Sequence, residues 1–111
     1  MPLSRDFTET VRERARRQPK FRRSLLRNAV EVLLSGEVET GKALLRRYVN
    51  ATVGFKQLAR ELGKHEKSLM QMLSPAGNPQ ARNLFRMIET LQRIEDIEFV
   101  IVVSGRGRAA Y

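Results

Sequence analysis

One histidine, no cysteine and twelve carboxylates give this 111-residue chain little from which to build catalysis. His65 alone cannot form a histidine metal site, and without cysteine neither a disulfide nor a cysteine-ligated zinc is possible. Catalysis needs a nucleophile–base pair or paired carboxylates in a cleft, and no stretch supplies one. The expectation is therefore no enzyme: no catalytic residue, metal or cofactor. What the chain has in quantity is 21 Lys/Arg, for a formal net charge of +9. That is the chemistry of a polyanion-binding surface, and nucleic acid is the commonest polyanion.

The charge falls in blocks. Residues 1–28 carry nine Lys/Arg against three Asp/Glu, 29–52 balance three against three, 53–94 carry seven against three, and 95–111 carry two against three. Two basic blocks thus flank a neutral one. In the second, Asn78–Pro79 reads as a helix start, Asn as cap and Pro at the first helical position. Arg82 and Asn83 in the first turn of that helix suit a phosphate oxygen. In the first block, Arg12, Arg14, Arg16 and Arg17 form either a solvated helix face or a phosphate or acidic-partner contact.

The elements that position these residues are helical. Phe55, Leu58, Ala59 and Leu62 follow the i, i+3, i+4, i+7 spacing of one apolar face. Gly63 stops that helix, because glycine enters a left-handed turn without a Cβ penalty. A second short helix follows, with Leu69, Met72 and Leu73 inward. Two short helices, a Gly-centred turn and the small Ala59 at the crossing make the helix-turn-helix pattern. Upstream, Asp6 and Glu9 have the Asp form of a capping box for a helix to about Gln18, its inward line Phe7, Val11 and Ala15. Pro19 opens the next helix and Gly36 closes it. That helix turns Phe21, Leu25, Ala29 or Val30, and Leu33 inward, with Leu26 and Leu34 widening the face. Val38, Gly41, Leu45, Tyr48 and Val49 mark the buried side of a third helix, with Asn50–Gly54 as its exit. Ala81, Leu84, Phe85, Ile88 and Leu91 give the last helix its stripe.

The period then changes. Phe99, Val100, Ile101, Val102 and Val103 are β-branched and aromatic, the one strand signal in the chain. A lone strand leaves its backbone unpaired, so it is expected to pair with the same strand of a second copy or with a strand of another protein. The tail around Gly105–Arg106–Gly107–Arg108 is either a minor-groove arm or a solvated end. The expected organisation is a single domain: a helical platform over 1–52, a helix-turn-helix core over 53–94, a pairing strand over 98–103 and a flexible tail over 104–111. No apolar run approaches the ~20 residues of a membrane span and no signal-peptide pattern opens the chain, so a cytoplasmic protein with no membrane partner is expected.

With these residues in view, Phe55–Leu91 resembles the λ-repressor-like (XRE-type) helix-turn-helix domains. The longer run LLSGEVETGKALLRRYVNATVGFKQLARELGKHEKSLMQML…GNPQARNLF, in a likeness covering roughly residues 20–103, is similar to the addiction-module antidote (antitoxin) proteins of bacteria. The resemblance implies an all-α fold: a λ-repressor-like helix-turn-helix bundle with an N-terminal helical extension and a single C-terminal β-strand. It implies that His65–Leu73 is the recognition helix, with Glu66, Lys67 and Gln71 facing base edges and Ser68 close by. Lys67 can donate to guanine, Gln71 can bond adenine, and Glu66 either accepts from cytosine or lowers affinity for a polyanion. Phosphates would be met by Lys56, Lys64, Arg82 and backbone amides around Asn78. The sequence departs from the pattern at Phe55, where the superfamily often has Gln, at Lys64, usually β-branched or apolar, and at His65, where Ser or Thr usually caps.

The function this implies is a homodimeric, sequence-specific DNA-binding repressor of a palindromic operator. As an antitoxin it would repress its own operon and neutralise a small RelE-like toxin, with Glu89, Glu95, Asp96 and Glu98 as the acidic patch for a basic partner. A stand-alone XRE-type regulator is the alternative. An RNA-binding or protein-interaction module is the third, against which stand the absence of an RNP or KH signature and the seven aromatic residues.

Overall fold

Proline and glycine set the punctuation of the chain. In a computed structural model, which describes residues 5–106, six helices run α1 (Arg5–Arg17), α2 (Pro19–Leu34), α3 (Val38–Ala51), α4 (Phe55–Leu62), α5 (Glu66–Met72) and α6 (Ala81–Glu95). All the regular secondary structure among the described residues is helical, which fits an all-α class. Pro19 stands at the start of α2, where its missing N–H is no loss. Gly36, at φ +92°, turns the chain into α3. The Asp6 side chain of the expected capping box and the tail residues Gly107 and Arg108 lie outside the described residues. No helix among the described residues is long and apolar enough to cross a membrane.

Helices α2 and α3 form the most extensive helix pair. Gly41 explains how closely they pack: a Cβ there would lie 2.5 Å from the Leu33 side chain. Their inward residues Leu26, Ala29, Leu45, Tyr48 and Val49 join Phe55, Leu58, Ala59 and Leu62 of α4 in one continuous core. Leu69 and Leu73 enter it from α5 and its exit, and Met87, Ile88 and Leu91 from α6. Full burial of each of these larger side chains contributes about 1.5–3 kcal/mol, which the short α4 and α5 could not gather by themselves.

Several edges differ from expectation. Leu34 and Val38 flank the α2–α3 turn, where no neighbour covers them, and both are exposed. Helix α6 begins at Ala81 with Gln80 as its cap, not at Asn78–Pro79. The carbonyl of Gly77 is held by Lys42, and the chain needs the extended residues 78–80 to travel from that anchor to α6. The buried face of α6 is also rotated: it turns toward Met87 and Thr90, leaving Phe85 61% exposed and Ala81 exposed.

The expected strand is absent among the described residues, since a single chain offers nothing for residues 98–103 to pair with. Asp96 takes a left-handed conformation at φ 56°, the Ile97 N–H donates to the Gln92 carbonyl, and the Phe99 N–H donates to Gln92 Oε1 at 2.8 Å. Ile97 and Phe99 pack on the core, while Val100–Val103 are 81–90% exposed.

The largest correction concerns Glu95, expected on a surface acidic patch. It is buried. Its Oε1 accepts from Arg22 Nε and from the Tyr48 hydroxyl at 3.1 Å, and Arg23 lies 3.9 Å from Oε2. Arg22 also donates to the Ala15 carbonyl at 2.9 Å, so one carboxylate gathers α1, α2, α3 and α6. Removing one partner of a buried pair costs about 3–5 kcal/mol. Glu95→Ala should fall near the lower bound, because Arg22 retains some access to water; urea unfolding measures the loss. Burial, and next the Glu95 charge, push the Tyr48 phenol well above its ordinary value of 10.0. The folded state favours the neutral phenol, so this contribution is complete below pH 10 and declines above it, by up to ~1.4 kcal/mol per pH unit. Tyr48→Phe should flatten the alkaline limb of the stability–pH curve.

Candidate nucleic-acid interface

Helix α4 begins after Gly54, at φ +81°, whose N–H donates to the Val49 carbonyl at 2.7 Å. Phe55 is buried beside this turn and leaves Lys56 and Gln57 outside. At the far end Gly63 sits in the left-handed region at φ +66°, and the Lys64 N–H reaches back to the Ala59 carbonyl at 3.0 Å, the hydrogen bond that ends many helices at glycine. The turn and its small residue Ala59 stand where the spacing placed them.

Helix α5 follows from His65, whose extended backbone starts the helix without a side-chain cap. Glu66 lies in the first turn, where the helix dipole favours a carboxylate, so it has a local structural role besides any contact with a base. Leu69 and Leu73 anchor α5 in the core. With those two inward, a period of 3.6 directs Lys67 and Gln71, four residues apart, straight outward as one ridge. Glu66 and Ser68 flank the ridge, and all four are exposed. Met70 shares the outer surface at 46% exposure. Sequence reasoning passed over it, although its position one residue after Leu69 signals an outward side chain.

The expected phosphate-contacting residues are spread over three elements. Lys56 on α4 and Arg82 on α6 are exposed, and Lys64 in the turn and Asn83 on α6 are half-buried. Neither Lys56, Lys64, Lys67 nor Arg82 takes part in an ion pair among the described residues. Asn78 does not cap α6 but lines, with Ser68, Gln71 and Gly77, a shallow cleft of about 290 Å³ between α5 and the lead-in to α6. Ser68, Gln71 and Asn78 are therefore brought together. Among the described residues no group of His, Cys, Asp and Glu side chains could hold a metal ion.

Lys42 fixes the back of this site. It is 1% exposed, and its ammonium donates to the carbonyls of Ser74 at 3.1 Å and Gly77 at 2.5 Å and pairs with Glu39 at 3.1 Å. The loop leaving α5 is thus bolted to α3. Gly77 is needed because its chain passes directly over the end of α5: a Cβ would lie 2.0 Å from the Gln71 carbonyl oxygen. Lys42 was not foreseen. Its signal was present, since 38, 41, 42, 45 and 49 form one helical stripe and a lysine inside it must find acceptors.

Hydrogen bonds to a charged donor contribute about 1.5–3 kcal/mol, so Lys42→Met should lower stability by an amount in that range and speed amide exchange in the loop around Ser74–Gly77. Gly77→Ala should cost about 1–3 kcal/mol as an overpacked contact, measured by thermal or urea unfolding, because the atoms it meets are backbone.

Comparison with protein-family models, with curated proteins and with solved structures returns no match.

Proposed function

We propose that this protein is a sequence-specific, double-stranded-DNA-binding transcriptional regulator of the helix-turn-helix type. The observation that carries this reading is α5: two buried leucines hold it from behind, and its Lys67–Gln71 ridge stands free at the surface beside unpaired cations. A helix of this width enters the major groove, where lysine donates to guanine O6 or N7 and glutamine pairs with adenine. Met70 adds an apolar contact suited to a thymine methyl. Lys56, Lys64 and Arg82 neutralise phosphates, and Asn78 and Asn83 bond them, fixing the register of α5.

The protein acts as a homodimer on a palindromic operator, because a helix-turn-helix reads one half-site per subunit. The exposed Val100–Val103 run supplies the joint, pairing with its copy across a two-fold axis. In keeping with the resemblance over residues 20–103, the regulator is the antitoxin of a toxin–antitoxin module that represses its own operon and binds a RelE-like toxin. One observation favours the stand-alone regulator instead. Glu95 is buried and Glu89 is engaged by Arg93 at 2.7 Å, which holds its carboxyl below the usual range. Only Asp96 and Glu98 of the acidic patch remain for a basic partner.

Selection from a random duplex library should return an inverted repeat with half-sites about one helical turn apart. Against that site, Lys67→Ala and Gln71→Ala should each relax discrimination at one base pair by about 1–3 kcal/mol, whereas Arg82→Ala should weaken all sequences alike and reduce the salt slope by about one unit. Unchanged discrimination in the Lys67/Gln71 double variant refutes the assignment of α5. Ile101→Lys should give monomers in sedimentation, and persistence of a dimer refutes the strand joint.

A further inference from the structure

Helix α1 lifts away from α3 along its length. Its inward line runs from Ala15, fully buried, through the half-buried Val11 to Phe7, 50% exposed. The wedge that opens is a cleft of about 240 Å³, with Phe7 and Val11 on one wall and Ala51 on the other. Three arginines, Arg12, Arg46 and Arg47, also line it, and no acidic side chain does among the described residues.

These arginines are short of partners. Residues three and four before and after Arg46 and Arg47 include no carboxylate, so neither has the intrahelical ion pair that usually satisfies an exposed arginine. Arg12 meets Glu9 at 3.3 Å through Nη1, while its Nε is buried without a hydrogen-bond partner. Guanidinium matches carboxylate with two parallel hydrogen bonds. The apolar walls call for a hydrocarbon body. A void of about 150 Å³ holds benzene, so this cleft has room for one ring and a short acidic arm.

We propose that the α1–α3 cleft binds a small arylalkyl carboxylate, its ring against Phe7, Val11 and Ala51 and its carboxylate on Arg12, Arg46 and Arg47. The site stands on its own geometry and does not depend on DNA binding by α5.

The test is an amide-resolved NMR titration of the full chain with 3-phenylpropionate, with the neutral 3-phenylpropanamide and with acetate. The acid should shift amides of α1 and α3 saturably, and the amide and acetate should each bind roughly tenfold or more weakly, since each lacks one of the two elements recognised. An Arg46→Gln/Arg47→Gln variant should lose affinity for the acid by a similar factor at unchanged melting temperature. Equal binding of acid and amide overturns the proposal, as does the absence of saturable shifts. Shifts centred on Lys56, Lys64 and Lys67 overturn it too, because they mark diffuse attraction of an anion to the basic surface.

Discussion

A single carboxylate at the end of α6 constrains most of this fold. Glu95 occupies the C-terminal turn of its helix, where the macrodipole opposes a negative charge, and it is buried, where desolvation opposes it again. Both penalties are offset because α2 delivers Arg22 and Arg23 and α3 delivers the Tyr48 hydroxyl to the same place. The arrangement works only when α2, α3 and α6 are all docked, and Arg22 extends it to α1 through the Ala15 carbonyl. Apolar packing between these helices is tolerant of sliding and rotation. A charge that must meet three partners is not, which is how the rotated face of α6, with Phe85 outside, is selected over the alternative with Phe85 inside.

Lys42 does for α5 what Glu95 does for α6. The α5 helix has seven residues and no side-chain cap, far below the length at which a helix holds in water. Its geometry comes from Leu69 and Leu73 in the core and from the loop behind it. That loop turns the carbonyls of Ser74 and Gly77 toward α3, and the ammonium of the buried Lys42 binds both. The N-terminal platform is therefore more than added apolar area, because it positions the outward ridge of α5 through a direct polar connection.

What was legible in the sequence follows from where a single residue type dictates backbone geometry. Gly63, Gly36 and Pro19 ended and began helices where expected, and the i, i+3, i+4, i+7 face of α4 was buried in full. The inward direction of Leu69 and Leu73, and hence the outward direction of Lys67 and Gln71, was equally readable. Reading failed where a distant residue decided the outcome. Asn78–Pro79 has every local feature of a helix start, yet Lys42, 35 residues from Gly77, holds the chain extended there. Glu95 continues the stripe of Ile88 and Leu91, but an acid in that place looks like a surface residue until Arg22, far away in sequence, is known to face it. The run at 98–103 has strand composition, and composition does not provide a partner.

That last mismatch has a physical consequence. The Gln92 side chain and the left-handed Asp96 turn the chain back along α6 and pin Phe99, so the segment beyond leaves the body in a defined direction. Four consecutive apolar residues then stand almost fully in water with their backbone groups unpaired by protein. An exposed edge of this kind invites pairing, and natural proteins usually blunt such edges with charge, proline or a covering element. Here none interrupts Val100–Val103, while Glu98 precedes the run and Arg106 follows it. In an antiparallel two-fold pairing the acidic end of one strand lies toward the basic end of the other, so the charges that flank the run favour that orientation and disfavour the parallel one, in which like charges would meet.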